Sequence, residues 1–151
     1  MTVEIDVETR IGCPPGEVFD ALIDLEHWPA WLIASGIVRV ESLDAGPLVA
    51  GSRLRISQTV AGRSTVLDGA VTVLATGAAF GLRGKDKDGV TIEIDAVLAL
   101  DDLATRLRWS LRVGLPLRFR AFESMVAPQA RRAAVLDLEA FKRRLERPTR
   151  T

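Results

Sequence analysis

Residues 119–146 read FRAFESMVAPQARRAAVLDLEAFKRRLE. This run holds no Gly and a single Pro, Pro128. Its bulk is Ala, Leu, Arg and Glu, which are strong helix formers. Phe122, Val126, Ala130, Ala133, Leu136, Leu138, Phe141 and Leu145 trace an apolar stripe along it. Proline has no amide hydrogen to donate, so Pro128 must end, bend or start a helical segment. The reading is one long helix with a kink near residue 125. Pro148 stops it, which leaves 146–151 as a loose tail.

Upstream of that helix the chain alternates. Ile92, Ile94, Ala96, Leu98 and Leu100 share one face of a long strand, and Leu107, Trp109, Leu111 and Val113 share one face of its neighbour. Asp102 to Thr105 supplies the turn. Thr2 to Ile11 is another half-buried strand, with Val3, Ile5, Val7 and Thr9 against Glu4, Asp6, Glu8 and Arg10. Further strands are expected at 37–40, 52–60, 65–75 and around Phe80 and Leu82, closed by turns such as Ala61-Gly62-Arg63-Ser64 and Lys85-Asp86-Lys87-Asp88-Gly89. At 65–75 both parities hold apolar residues, so its inner face stays open. Between the first strand and the rest, Pro14-Pro15-Gly16 starts a short helix carrying Val18, Phe19, Leu22 and Ile23, and Pro29 starts a second one. Short turns pair the strands antiparallel. An antiparallel sheet with one apolar face needs a cover. The C-terminal helix is the one element long enough.

Composition narrows the chemistry. With 151 residues, 48% of them hydrophobic and 26% charged, the chain is one globular domain, 1–151. One Cys and one His exclude a disulfide framework or a Cys/His zinc site within one chain. No run approaches a membrane span. The acidic, alternating N-terminus is unlike a signal peptide, so a cytoplasmic location is expected. The formal charge is zero, but it is unevenly placed. Residues 1–102 carry 8 basic and 16 acidic side chains, and residues 103–151 carry 12 basic and 4 acidic ones. A basic tail for nucleic acid is one meaning of that split. The alternation gives another. Arg106, Arg108 and Arg112 fall on the outer face, as do Glu93 and Asp95 of the neighbouring strand. Arg112 should face one of those carboxylates. Arg131, Arg132, Lys142, Arg143 and Arg144 are placed on the outer helix face beside Asp137 and Glu139. The two poles then neutralise each other, and no nucleic acid is implied.

The stretch Pro14-Pro15-Gly16-Glu17-Val18-Phe19-Asp20-Ala21-Leu22, the following Trp28-Pro29-Ala30-Trp31, and Thr105-Arg106-Leu107-Arg108-Trp109 leading into an amphipathic helix resemble the START-like, or Bet v 1-like (SRPBCC), helix-grip superfamily. Within it the chain looks like the bacterial polyketide cyclase/dehydrase-type members. The resemblance implies an α+β helix-grip fold. About seven antiparallel strands wrap a long C-terminal helix, with two short helices after the first strand. It also implies an apolar cavity between sheet and helix.

The ligand-binding residues expected there are Trp31, Leu54, Ile56, Gln58, Phe80, Ile94, Ala96, Trp109, Phe122, Met125, Val126 and Gln129. Binding or carriage of a small lipid- or polyketide-like molecule follows, with no cofactor, no metal, no stable membrane insertion, and a monomer or weak homodimer. An aromatase/cyclase-like enzyme is the alternative, and a protein-interaction module with a filled core is a second. General acid–base work needs titratable groups in the pocket. The inner faces offer only Gln58 and Gln129, and the chain has no Tyr, so no catalytic residue is assigned. Either Gln can instead reach a strand or helix end, or solvent. Trp28 and Trp31 can pave an entrance or pack the short helices onto the sheet. Arg118 and Arg120 can hold a carboxylate at the mouth or stand in solvent. His27 reads as an exposed residue between helices, and Cys13 as a small buried hydrophobe.

Overall fold

The computed structural model describes residues 2–60 and 62–147. The turn position Ala61 and the end of the expected tail, 148–151, lie outside the described residues. Seven strands form one antiparallel sheet: β1 (Thr2–Ile11), β2 (Ile37–Ser42), β3 (Arg53–Val60), β4 (Arg63–Ala75), β5 (Ala79–Lys85), β6 (Thr91–Asp101) and β7 (Ala104–Gly114). Their spatial order is β1-β7-β6-β5-β4-β3-β2. Two short helices, α1 (Pro15–Leu22) and α2 (Trp28–Trp31), follow β1, and the chain ends in α3 (Glu123–Glu146). This is the α+β helix-grip architecture.

Period-two alternation places the sheet's inner face as expected. Val3, Ile5 and Ile11 of β1 are buried, as are Ile94, Ala96 and Leu98 of β6, and Leu107 and Trp109 of β7. The β6–β7 register pairs Glu93 with Arg112. Leu100, read onto the same inner face, is 70% exposed, although its register partner Thr105 is buried. In β4 the buried residues are Leu67 and Val71. The pairing with β5 then shifts register between Val71 and Val73. This bulge moves the apolar set from one parity to the other, which is why both parities read as apolar.

α1 opens with Pro15 in its first turn, where the missing amide hydrogen is no loss, and it buries Val18, Phe19 and Leu22. α3 begins at Glu123, later than expected, since Leu117–Phe122 form a 3-10 segment. Its buried residues are Ala134, Asp137, Leu138 and Phe141. Leu136 of the expected stripe is 49% exposed. Spacings of three and four from Ala134 lead to Asp137, Leu138 and Phe141, so position 136 falls off the buried face.

Opposite charges meet on the sheet's outer face. Arg106 pairs with Glu8 and Asp101, Arg108 with Asp6, and Arg112 with Glu4 and Glu93. Of the helix cations, Arg132, Arg143 and Arg144 are exposed as read, whereas two others reach β1. Arg131 donates to the Asp6 carbonyl, and Lys142 donates to the Arg10 carbonyl at 2.6 Å. Glu146 accepts from Gly12 N–H at 2.7 Å. These side chains turn toward β1, because an edge strand carries unpaired backbone groups that attract polar ends.

Gly36 joins the short helices to β2. Its φ is +72°, and a Cβ there would run into the Thr59 carbonyl oxygen. Gly36→Ala is therefore expected to cost at least about 2 kcal/mol, from left-handed backbone strain plus a displaced β3 carbonyl. Urea unfolding checks this, and a loss below half that figure would contradict the close approach.

Candidate functional site

The interior between sheet and helices is apolar, and at one end it is filled by aromatic rings. Trp28, Trp31, Phe80, Trp109 and Phe141 are each at most 3% exposed. Trp31 lies 4.5 Å from Phe141 and 5.7 Å from Trp109, and Trp28 lies 5.8 Å from Trp31 and 6.0 Å from Phe80, ring centre to ring centre. These are mostly edge-on contacts, the geometry aromatic rings favour. The Trp28 indole donates to the Leu22 carbonyl at 2.8 Å. The two tryptophans thus pack the short helices onto the sheet and α3. Leu54, Ile56, Ile94 and Ala96 complete the buried wall.

The polar groups are committed to the fold. Gln58 donates through its amide to the Ser35 carbonyl at 2.8 Å. Asp137, 2% exposed, accepts from Ala34 N–H at 2.8 Å, Ser35 N–H at 3.0 Å and Ser35 Oγ at 2.5 Å. Asp137 and Gln58 thereby fix the loop after α2 from two sides. Burial raises the Asp137 carboxyl above its ordinary value of 3.8, and the three hydrogen bonds oppose that shift without cancelling it. Asp137 corrects the reading that placed it on the outer helix face. Its signal was its spacing from Ala130, Ala134 and Phe141, three neighbours on one helical stripe.

The opposite end is less covered. Phe122 and Met125 are 55% and 56% exposed, Gln129 is exposed, and Val126 is half-buried. None of these four is fully buried. The first turns of α3, which follow a 3-10 segment and contain Pro128, bury no side chain. At the same end of the sheet, Ile92 of β6 and Leu111 and Val113 of β7 are half-buried on the inner face. Apolar side chains thus stand incompletely covered both at the start of α3 and at the ends of β6 and β7. An ionic clasp lies at this end of the fold. Asp88, in the β5–β6 turn, receives Arg63 from β4 and Arg118 from the 3-10 segment. Both guanidinium groups stand over the Phe119 ring, at 5.9 and 5.0 Å from its centre. Exposed ion pairs contribute roughly 0–1 kcal/mol each. Asp88→Asn is therefore expected to speed amide hydrogen exchange in 117–122 by about fivefold, one kcal/mol expressed as a rate ratio. Unchanged exchange would show that the clasp holds nothing.

Elsewhere the ordinary readings stand. The His27 Nδ1 lies 2.7 Å from Asp24 Oδ2 in solvent. The Cys13 thiol is buried and donates to the Leu145 carbonyl at 3.4 Å. Burial raises its pKa, with Glu17 and Glu146 adding to the shift, and this disfavours a reactive thiolate. Among the described residues no group of three His, Cys, Asp or Glu side chains could hold a metal.

The sequence model for the polyketide cyclase / dehydrase and lipid transport family matches residues 2–146. The chain belongs to this family. Solved structures agree on the fold. An aromatase/cyclase of Streptomyces sp. R1128 superposes with a TM-score of 0.79 at 17% identity, covering 100% of this chain and 98% of that one. A protein of Thermus thermophilus gives 0.77 at 17% identity, covering 94% and 96%. A START superfamily protein of Mycobacterium smegmatis gives 0.75 at 18% identity, covering 97% and 99%. No curated protein matches the sequence. No described helix is long and apolar enough to cross a membrane.

Proposed function

We propose that this family member binds or carries a small apolar molecule, lipid- or polyketide-like, entering at the start of α3. The observation carrying this reading is that Phe122 and Met125, large apolar side chains, stand more than half exposed at the end of the fold where Ile92, Leu111 and Val113 are half-buried. Exposed apolar surface of this kind, continuous with an apolar interior, marks a binding groove. Val126 lines the entry, and Gln129 offers the amide that orients a polar end. Trp31, Phe80 and Trp109, with Leu54, Ile56, Ile94 and Ala96, form the inner wall that a ligand meets. Gln58 is tied to the loop and orients that wall rather than the ligand.

An aromatase/cyclase-like role needs an acid or base at the ligand. Asp137 is the buried carboxyl among the described residues, and both of its oxygens already accept hydrogen bonds. Binding is therefore the better-supported reading.

Native mass spectrometry of the protein purified without detergent or organic solvent tests it. The expected result is a co-purifying apolar compound, or stoichiometric binding of an apolar fluorescent probe. Met125→Arg should weaken the probe at least tenfold, whereas Leu103→Ser, at an exposed turn, should not. Equal effects of the two substitutions would sink the proposal.

A further inference from the structure

A hollow of about 720 Å³ lies over the charged residues of the sheet's outer face. Its lining includes Arg53, Arg55, Arg83, Lys85 and Arg112 against Asp68 and Glu93. The strand register explains how it forms. Ala70 of β4 is paired with Arg53 on one side and Arg83 on the other. One step along, Asp68 is paired with Arg55 and Lys85. Neighbouring strands lie about 4.8 Å apart, so the two cationic pairs straddle β4 at roughly 10 Å. Between Arg53 and Arg83 the floor is only a methyl group, so nothing fills the gap between the long side chains.

The local ion pairing leaves this box short of negative charge. Asp44 is committed to Arg53, with contacts of 3.0 and 2.7 Å, and those bonds hold its carboxyl below the usual range. Asp68 pairs with Arg55 at 3.4 Å, and Glu93 pairs with Arg112 at 3.5 Å. Arg83 faces Glu93 and Lys85 faces Asp68 in the register, yet neither side chain makes an ion pair or hydrogen bond among the described residues. Arg106 and Arg108 elsewhere on this sheet face, and Arg112 in the hollow itself, all have carboxylate partners. The two unmatched cations share one hollow.

We propose that Arg53, Arg55, Arg83 and Lys85 form an anion site over Ala70, taking a phosphoryl group with two or more negative charges, such as a phosphate monoester or diphosphate. The guanidinium groups present paired N–H donors that suit phosphate oxygens, and Lys85 adds a point charge. The charge can come from a free small molecule or from a phospholipid headgroup.

Titration with inorganic pyrophosphate at constant ionic strength, followed by amide NMR, tests the site. Saturable shifts at 69–70 and 83–85 are expected, with a dissociation constant on the order of 1 mM or tighter. Arg83→Gln with Lys85→Gln should weaken binding at least tenfold. Ala70→Glu, which puts a carboxylate on the floor and keeps every cation, should do the same. Arg143→Gln, one cation removed from exposed α3 surface, should leave it unchanged. Pelleting with phosphatidate vesicles, but not with phosphatidylcholine, assigns the headgroup as the source. Pyrophosphate binding without pelleting assigns a free anion. The absence of saturable binding to either probe, or binding that survives both the double substitution and Ala70→Glu, would overturn the site.

Discussion

Asp137→Ala is expected to lower the unfolding free energy by about 3–4 kcal/mol at neutral pH. The carboxylate receives two backbone amides and one hydroxyl from Ala34 and Ser35. Hydrogen bonds to a charged group contribute roughly 1.5–3 kcal/mol each, and a buried donor left without its acceptor costs about 1–3. Ala34 is exposed, so water recovers part of that loss. At about 2–4 °C per kcal/mol for a chain of this size, the melting temperature should fall by roughly 6–16 °C. The pH dependence has a definite sign. Burial raises the folded carboxyl above 3.8, so the folded state holds the proton more tightly than the unfolded one. The proton-linked part of its contribution is then full below the unfolded value and is lost as pH rises through the folded value, and the hydrogen-bonded part remains at neutral pH. The gap between wild type and Asp137→Ala should narrow as pH rises from the unfolded value through that window. Urea unfolding at several pH values checks this. A gap that widens instead would mean that the three hydrogen bonds outweigh the burial.

Phe141→Ala should cost about 3–5 kcal/mol, the range for deleting a buried aromatic ring. The side chain is 0% exposed and stands 4.5 Å from Trp31. It clamps α3 to α2, and through Trp31 to Trp109 on β7. Truncation leaves an apolar void that stays dry and accepts a small aromatic such as benzene. Benzene should therefore raise the melting temperature of the variant and not that of the wild type. Phe141→Leu, which keeps most of the volume, should lose less than half as much. If Phe141→Ala lost under about 1.5 kcal/mol, the aromatic cluster would not be what fastens the helix.

The strand faces were legible because alternation is a strict geometric rule. Ile94, Ala96, Trp109 and the Glu93–Arg112 pair fall where that rule places them. β4 was ambiguous because a bulge changes parity within one strand, and local sequence does not announce its position. The helix was visible and much of its buried stripe with it, Leu138 and Phe141 included, but not every position. The stripe drawn through Leu136 missed the buried face by a fraction of a turn and left Asp137 among the surface charges. Phe122 and Met125 are apolar at helical spacing, the usual mark of a buried position. Their exposure depends on how the start of α3 packs, which is a tertiary property. Gln58 shows the same limit. Its inward position was readable, whereas its partner, a carbonyl 23 residues earlier, required the folded loop.

The bonds from α3 to β1 have a consequence for the order in which this chain can fold. β1 is the first strand synthesised and an outer edge of the sheet. Its neighbour β7 and the residues that cover its open side, Arg131, Lys142 and Glu146, all come from the last third of the chain. A ribosome adding about 5–20 residues per second leaves β1 without its partners for many seconds. During that time its alternating apolar face and free backbone groups are available to other nascent strands. The acidic residues Glu4, Asp6 and Glu8 spaced along it then repel like copies of the same strand, before they ever meet the arginines of β7.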